Sequence, residues 1–230
     1  MPILLKNTRS TLRRSLANDL TNHLRNDILT GRKKPGDYLR LQELSDEFQV
    51  SLSPIRESLS VLSSEGLVEQ VGQRGHKVAP LLRDHFIDAT RARIALGTLC
   101  LRISIEKGGD DWEASVVSSF WKLNKIEQSV WEDGTVAQWE KHHHRFHESL
   151  VGGCQSAMLL EFSQISRRVT DRFRRVCIQK TSPDQKVWKE HETIYELTIA
   201  RRSEEACEAL AAHIQRASDR ILQEASSMME

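Results

Sequence analysis

His143 and His147 stand four residues apart in the stretch KHHHRFHESL, a spacing that puts both imidazoles on one face of a helix, one turn apart. Such a pair can share a metal ion. His191 and His213 follow in two further stretches of helical pattern, so four of the nine histidines, drawn from three helices, could close around Zn(II), Ni(II) or a similar ion. A plainer reading fits the same spacing: a His-His-His run suits a solvated face, and single helical histidines are commonly satisfied by water or carboxylates. A catalytic reading would make the histidines the centre of a metal-dependent hydrolase with Glu148 or Glu190 as base. No nucleophile-base pair or phosphate loop accompanies them.

A second set of residues speaks to nucleic acid. Ser53, Arg56, Glu57 and Ser60 would line the outward face of a short helix whose inward face is Ile55, Leu59 and Leu62. Arg56 could bind a base edge or a phosphate in a major groove, and Ser51 and Ser53, with the amides of the helix start, suit phosphate oxygens. Gln73 and Arg74 would occupy the tip of a hairpin able to reach the adjacent minor groove. The alternative is that Arg56 pairs with Glu57 or Glu65 and touches no nucleic acid.

The elements that must hold these residues are legible in pattern. Leu12, Leu16, Leu20, Leu24 and Ile28 recur at helical spacing until Gly31 and Pro35-Gly36 stop the run. Leu41 to Phe48 forms a second helix burying Leu41, Leu44 and Phe48, and Gln49-Val50 makes the turn. With Ser53 as cap and Pro54 as first helical residue, a third helix runs to Ser64 before Gly66. Val68–Val71 and His76–Ala79 can then pair across Gly72-Gln73-Arg74-Gly75. Residues 81–83 make a short joint. Six helices follow, over about 83–107, 111–131, 135–151, 155–179, 184–200 and 203–226, with glycines punctuating the first breaks. The expected fold is mostly α: a winged helix-turn-helix over residues 1–80 and an antiparallel six-helix bundle over 81–230.

Composition agrees with this layout. At 230 residues the chain is long enough for two domains, and 28% of it is charged. No stretch approaches the roughly 20 apolar residues of a membrane span, and no export signal is visible at the N-terminus. Cys100, Cys154, Cys177 and Cys207 are scattered, which suits buried thiols in a reducing cytoplasm. Residues 1–80 carry 12 Lys and Arg against 9 Asp and Glu, the mild positive excess a DNA-binding unit favours.

Pro35-Gly36, Leu39, Leu44, the run SPIRESL from Ser53, Glu65-Gly66-Leu67-Val68 and Gly75-x-x-Val78 resemble the reader domain of GntR-family bacterial transcription regulators. The resemblance implies base-reading residues on the third helix, supported by the wing, and carries DNA contacts onto Gln42, Ser51, Ser53, Arg56 and Gln73 to Gly75. Many members have an arginine directly after the serine that opens the reading helix, where this chain has Leu52. Its operator therefore differs, or Arg56 does more of the reading.

The helical half resembles the FCD effector domain of the FadR-type branch. Phe146-His147, Glu190-His191 and Ala212-His213 match its motif, whereas position 143, normally aspartate, is histidine here. The resemblance implies a divalent transition metal, zinc or nickel, on His143, His147, His191 and His213. It also implies a small organic acid as effector, whose carboxylate meets the metal or an arginine. Arg93 falls where the domain often has an arginine in its first helix, with Arg172 and Arg174 as further candidates on a helix whose arginines mostly face solvent. Gly108 to Glu113 and the stretch from Phe146 to Cys154 look most like CsiR-type regulators of dicarboxylate and amino-acid catabolism. The expected protein is a homodimeric repressor reading a two-fold operator under control of the acid; a regulator that senses the metal itself is the alternative.

Overall fold

The computed structural model describes residues 4–72, 75–131, 135–177 and 185–224, without the side chains of residues 4–15 and 176–177. The chain divides into two compact units, the first ending at Leu82 and the second beginning at Arg83.

In the first unit, α1 (Leu4–Leu29) buries Ala17, Leu20, Thr21, Leu24 and Ile28. That face follows the helical period from Ala17, so Leu16, expected inside, turns outward and is 49% exposed. Gly31, at φ 73°, lets the chain leave the helix. α2 (Leu41–Phe48) buries Leu44 and rests Leu41 and Phe48 against the core. It ends at Gln49 in the left-handed conformation, which makes the turn into the next helix.

α3 runs Leu52–Ser64 with Ser51 as its extended N-terminal flank, two residues earlier than the cap assigned to Ser53. Proline did not mark the first position, because any of the first turn's amides would lack an intrahelical partner and proline is tolerated throughout it. Ile55, Leu59 and Leu62 are fully buried, as their spacing requires. Truncating one of them to alanine would cost about 2–5 kcal/mol. Gly66, at φ 70°, closes the helix while the Leu67 amide donates to the Leu62 carbonyl at 2.9 Å.

The wing is an antiparallel pair, β1 (Val68–Val71) with β2 (Gly75–Val78), in the register Val68 opposite Val78 and Val71 opposite Gly75. β2 begins one residue earlier than the hairpin pattern suggested. A bridge from Tyr38 to Lys77 adds a short third edge. Gln73 and Arg74 lie outside the described residues.

Among the described residues the second unit contains six helices: α4 (Arg83–Lys107), α5 (Asp110–Glu127), α6 (Thr135–Val151), α7 (Ala157–Cys177), α8 (Gln185–Ile199) and α9 (Ser203–Glu224). α4 and α9 run antiparallel, with the Thr90 and Ser218 hydroxyls 3.2 Å apart and Gly97 against Leu210 and Ile214. Leu101, Trp112, Val116, Phe120, Leu123, Phe146, Leu150 and Ile194 fill the core. α5 stops four residues short of its expected end. α7 starts two residues late, because Gly152–Cys154 forms a 3₁₀ turn and Gln155 turns left-handed. The α4–α5 junction is tight: a Cβ on Gly108 would fall 2.2 Å from the Trp112 ring. Cys100, Cys154 and Cys207 are buried free thiols, and burial pushes Cys100 up to about 12. No helix among the described residues is long and apolar enough to cross a membrane.

Candidate functional site

α6 carries His143 and His147 inward on successive turns, α8 supplies His191 and α9 supplies His213. All four are buried, and one ring nitrogen from each lies within 4.8 Å of the others. His143 Nε2 and His147 Nε2 are 3.1 Å apart. His191 Nδ1 is 2.8 Å from Glu127 Oε1, and His213 Nδ1 is 2.8 Å from Glu190 Oε2. A carboxylate only accepts, so each of these rings holds its proton on Nδ1 and presents a bare Nε2. His191 Nε2 and His143 Nδ1 are buried with no hydrogen-bond partner. Trp139 stacks on the His143 ring at 4.4 Å and donates its indole N–H to Glu127 at 3.0 Å.

Burial, helped by Arg174 and the other imidazoles, holds His143 well below the ordinary histidine range. His147 is lowered by burial, His143 and Arg167, and His213 falls to about 4 because burial outweighs Glu190. His143, His147 and His213 are thus held as neutral imidazoles, and two of the four rings, His191 and His213, are backed by carboxylates. That donor set fits a borderline transition-metal ion such as Zn(II) or Ni(II), and carboxylate-backed imidazoles are the usual outer support of such a site.

Glu127 is the member that the sequence reading missed. Val116, Phe120, Leu123 and Glu127 occupy one inward row of α5, so a lone carboxylate in a core register was the available signal.

Beside the cluster lies a cavity of about 140 Å³, lined by His143, His213, Arg93, Thr170, Arg174 and Glu190 at its polar part. Phe86, Trp131, Trp139, Val187 and Ile221 supply apolar wall. The lining extends from His213 to Ile221, about 12 Å of α9 at 1.5 Å per residue. Arg93 donates to the Thr170 hydroxyl at 2.7 Å and stands 3.6 Å from Asp171. Burial lowers its pKa to about 10, which leaves it charged at neutral pH.

Arg172 is buried but does not line this cavity. It lies two residues from both Thr170 and Arg174, which are four apart on the cavity side, and two residues of helix turn it to the other side. Arg174, paired with Glu140, lines the cavity instead. The other expectation for α7 also fails: Arg167 and Arg172 are buried, Arg174 and Arg175 half-buried, and Arg168 alone of the five is exposed. Asp171 gathers Arg167, Arg174, Arg93 and His144 around one carboxylate, which is how so much positive charge is kept inside.

On the first unit, Arg56, Glu57 and Ser60 are exposed along α3, and Ser53 is half-buried. Glu65 is held by Arg25 through two hydrogen bonds of 2.7 and 2.8 Å, so it does not neutralise Arg56. Among the described residues Arg56 makes no ion pair. Ser51 is exposed at the helix start, Leu52 beside it is partly open, and Gln42 is exposed with its amide on Asp46 at 3.0 Å. Gly75 approaches its strand neighbour so closely that a Cβ would lie 3.2 Å from the Val71 carbonyl oxygen.

A helix-turn-helix with a paired wing and an open reading helix, followed by a helical unit with a buried polar cavity, defines a DNA-binding transcriptional regulator. Residues 16–78 match the model of the bacterial regulatory proteins of the gntR family, and residues 88–216 match the FCD domain. The chain belongs to the GntR family, in its FCD-bearing, FadR-like branch. It is 35% identical to the HTH-type transcriptional regulator BphR of Paraburkholderia xenovorans (strain LB400), over 88% of this chain and 83% of that one. The HTH-type transcriptional repressor GlaR of Escherichia coli (strain K12) is 29% identical over 83% of this chain and 89% of its own. Among solved structures, E. coli McbR/YncC shares the fold with a TM-score of 0.70 at 18% identity, covering 90% of this chain and 97% of that one. A GntR-family regulator from Pseudomonas syringae pv. tomato str. DC3000 is 28% identical with a TM-score of 0.50, covering 92% and 86%. These families and relatives are regulators, so the hydrolase reading of the histidines falls.

Proposed function

We propose that the helical unit holds a divalent transition metal, zinc or nickel, on His143, His147, His191 and His213, and binds a small organic acid in the adjoining cavity to control DNA binding. The observation that carries this reading is the meeting of four buried imidazoles from three helices, two of which, His143 and His213, also line a cavity that contains Arg93. When bound, the ion supplies a concentrated positive charge for a carboxylate to meet. Arg93, pre-oriented by Thr170 and Asp171, offers a planar guanidinium to the same carboxylate. Trp139, Trp131 and Phe86 exclude water from the acid's carbon skeleton.

The acid changes DNA affinity only by the difference in its affinity for the DNA-competent and DNA-incompetent states. The protein acts as a homodimer, with α3 of each subunit in successive major-groove faces of a two-fold operator. We take it as a repressor released by the acid, a sign supported by the relative named a repressor, with Gln42, Ser51, Ser53, Arg56 and the wing residues Gln73 to Gly75 as its DNA contacts.

Metal analysis of purified protein tests the site: His147→Ala and His191→Ala each lower bound metal per chain, whereas wild-type stoichiometry in both variants rejects the assignment. A metal sensor is separated by measuring operator affinity with and without zinc at fixed acid. A response to zinc alone displaces the metabolite reading.

A further inference from the structure

Among the described residues, nothing covers one face of α7. Met158, Phe162 and Ile165 are 67%, 49% and 42% exposed. With half-buried Val169 they recur at intervals of four, three and four residues, the a/d rhythm of a helix seam. The helix cannot rotate to hide them, because Ser163, Ser166, Arg167 and Thr170 are buried on its other side. Single exposed apolar residues are ordinary in proteins, but a continuous row along one helix marks a surface that another molecule covers.

Charge identifies that molecule. Glu161 and Arg168, seven residues apart, follow one line beside the seam. Both are exposed, and among the described residues neither forms an ion pair. A row with one acid and one base at this separation is complementary to itself when reversed. Antiparallel pairing about a two-fold axis between residues 163 and 164 sets Phe162 against Ile165 of a second copy and Met158 against its Val169. The same pairing brings Glu161 within about 3 Å of rise of the copy's Arg168, and symmetry makes a second such pair. Parallel pairing would instead leave the two charged rows on opposite flanks of the seam, where they cannot pair.

We propose that α7 packs antiparallel on α7 of a second copy of this chain, through Met158, Phe162, Ile165 and Val169, with two Glu161–Arg168 ion pairs setting the register. The proposal gives the dimer reading above a surface and rests on that reading. It also links the dimer to the ligand, since Thr170 and Arg174 of the same helix line the cavity. A ligand that moves α7 changes how the two copies meet.

Sedimentation equilibrium of the full chain tests it. The wild-type chain is expected to be a dimer. Phe162→Glu and Ile165→Glu each raise its dissociation constant by about a hundredfold, the scale for losing a central anchor. Glu161→Arg and Arg168→Glu, at exposed positions that do not touch the core, each weaken it about tenfold; the double swap returns it to within about threefold of wild type. Circular dichroism and metal content follow folding in every variant, and the charge swaps carry the test if an apolar variant fails to fold. A wild-type-strength dimer in the glutamate variants places the interface elsewhere, for example on the exposed Val117 and Trp121 of α5, and overturns the proposal. A double swap as weak as the single ones overturns the register. A monomeric wild-type chain defeats the dimer reading itself, a distinguishable result.

Discussion

Two carboxylates do the unseen work at the residue scale. Glu127 is fully buried and accepts from both His191 and Trp139, so it fixes the tautomer and aim of a proposed ligand without touching the ion. Glu127→Gln keeps the shape but weakens that hold. Competition with a chromophoric chelator should show metal affinity down about 10- to 100-fold, and unchanged affinity would reduce Glu127 to packing. Asp171 has a different task. Burial alone would raise its pKa, but Arg167, His144, Arg174 and Arg93 hold the carboxyl well below the ordinary range. A carboxylate depressed in the folded state contributes stability that is present above its unfolded pKa and is lost as pH falls through the folded value. The wild-type melting temperature should therefore decline below about pH 4. Asp171→Asn should lower stability at neutral pH and flatten that acid limb; a parallel acid limb in the variant would refute the assignment.

At the scale of elements, close approach matters as much as helix propensity. Gly108 ends α4 where the Trp112 ring crosses it, and Gly153 meets the same ring from the 3₁₀ turn, its own Cβ position 3.1 Å from Trp112 Cγ. Trp112 cannot yield freely, since its indole N–H donates to the Ser149 carbonyl at 2.8 Å. Gly108→Ala should destabilise the protein by about 1–3 kcal/mol through overpacking, read as a lowered urea midpoint. Helix identities were readable from glycines and apolar period, and α2, α4 and α6 match their expected bounds. The start of α3 was not, because Ser51 and Ser53 are both capping residues and Pro54 fits any place in the first turn. The sides taken by Leu16 and Arg172 were also hidden. Each depends on which way a helix turns when it packs, a choice that neighbours make.

Across the whole molecule, regulation requires that the bundle's ligand change what the winged unit does. Arg93→Ala leaves α3 and its Arg56 unaltered, so operator binding without the acid should stay near the wild-type value. The acid's effect on operator affinity should fall to within about twofold of none, as expected when coupling free energy is lost. Anisotropy titrations at one fixed salt concentration check both, because phosphate contacts make DNA affinity steeply salt-dependent. If the variant responds to the acid as wild type does, the acid does not depend on Arg93.

Local rules operate within a few residues, and what they govern was decided by the amino-acid order alone: the inward row Ile55, Leu59, Leu62, the wing, the helical remainder, and the pairing of His143 with His147 on one face. Spacing could nominate His191 and His213 but could not bring them to that face. The convergence of α6, α8 and α9, the carboxylate of Glu127 behind His191, and the choice of Arg174 over Arg172 at the cavity were settled only by tertiary packing. Contacts across 40 to 80 residues of chain depend on how whole helices interlock, and no periodicity within one helix records the angle at which another will cross it.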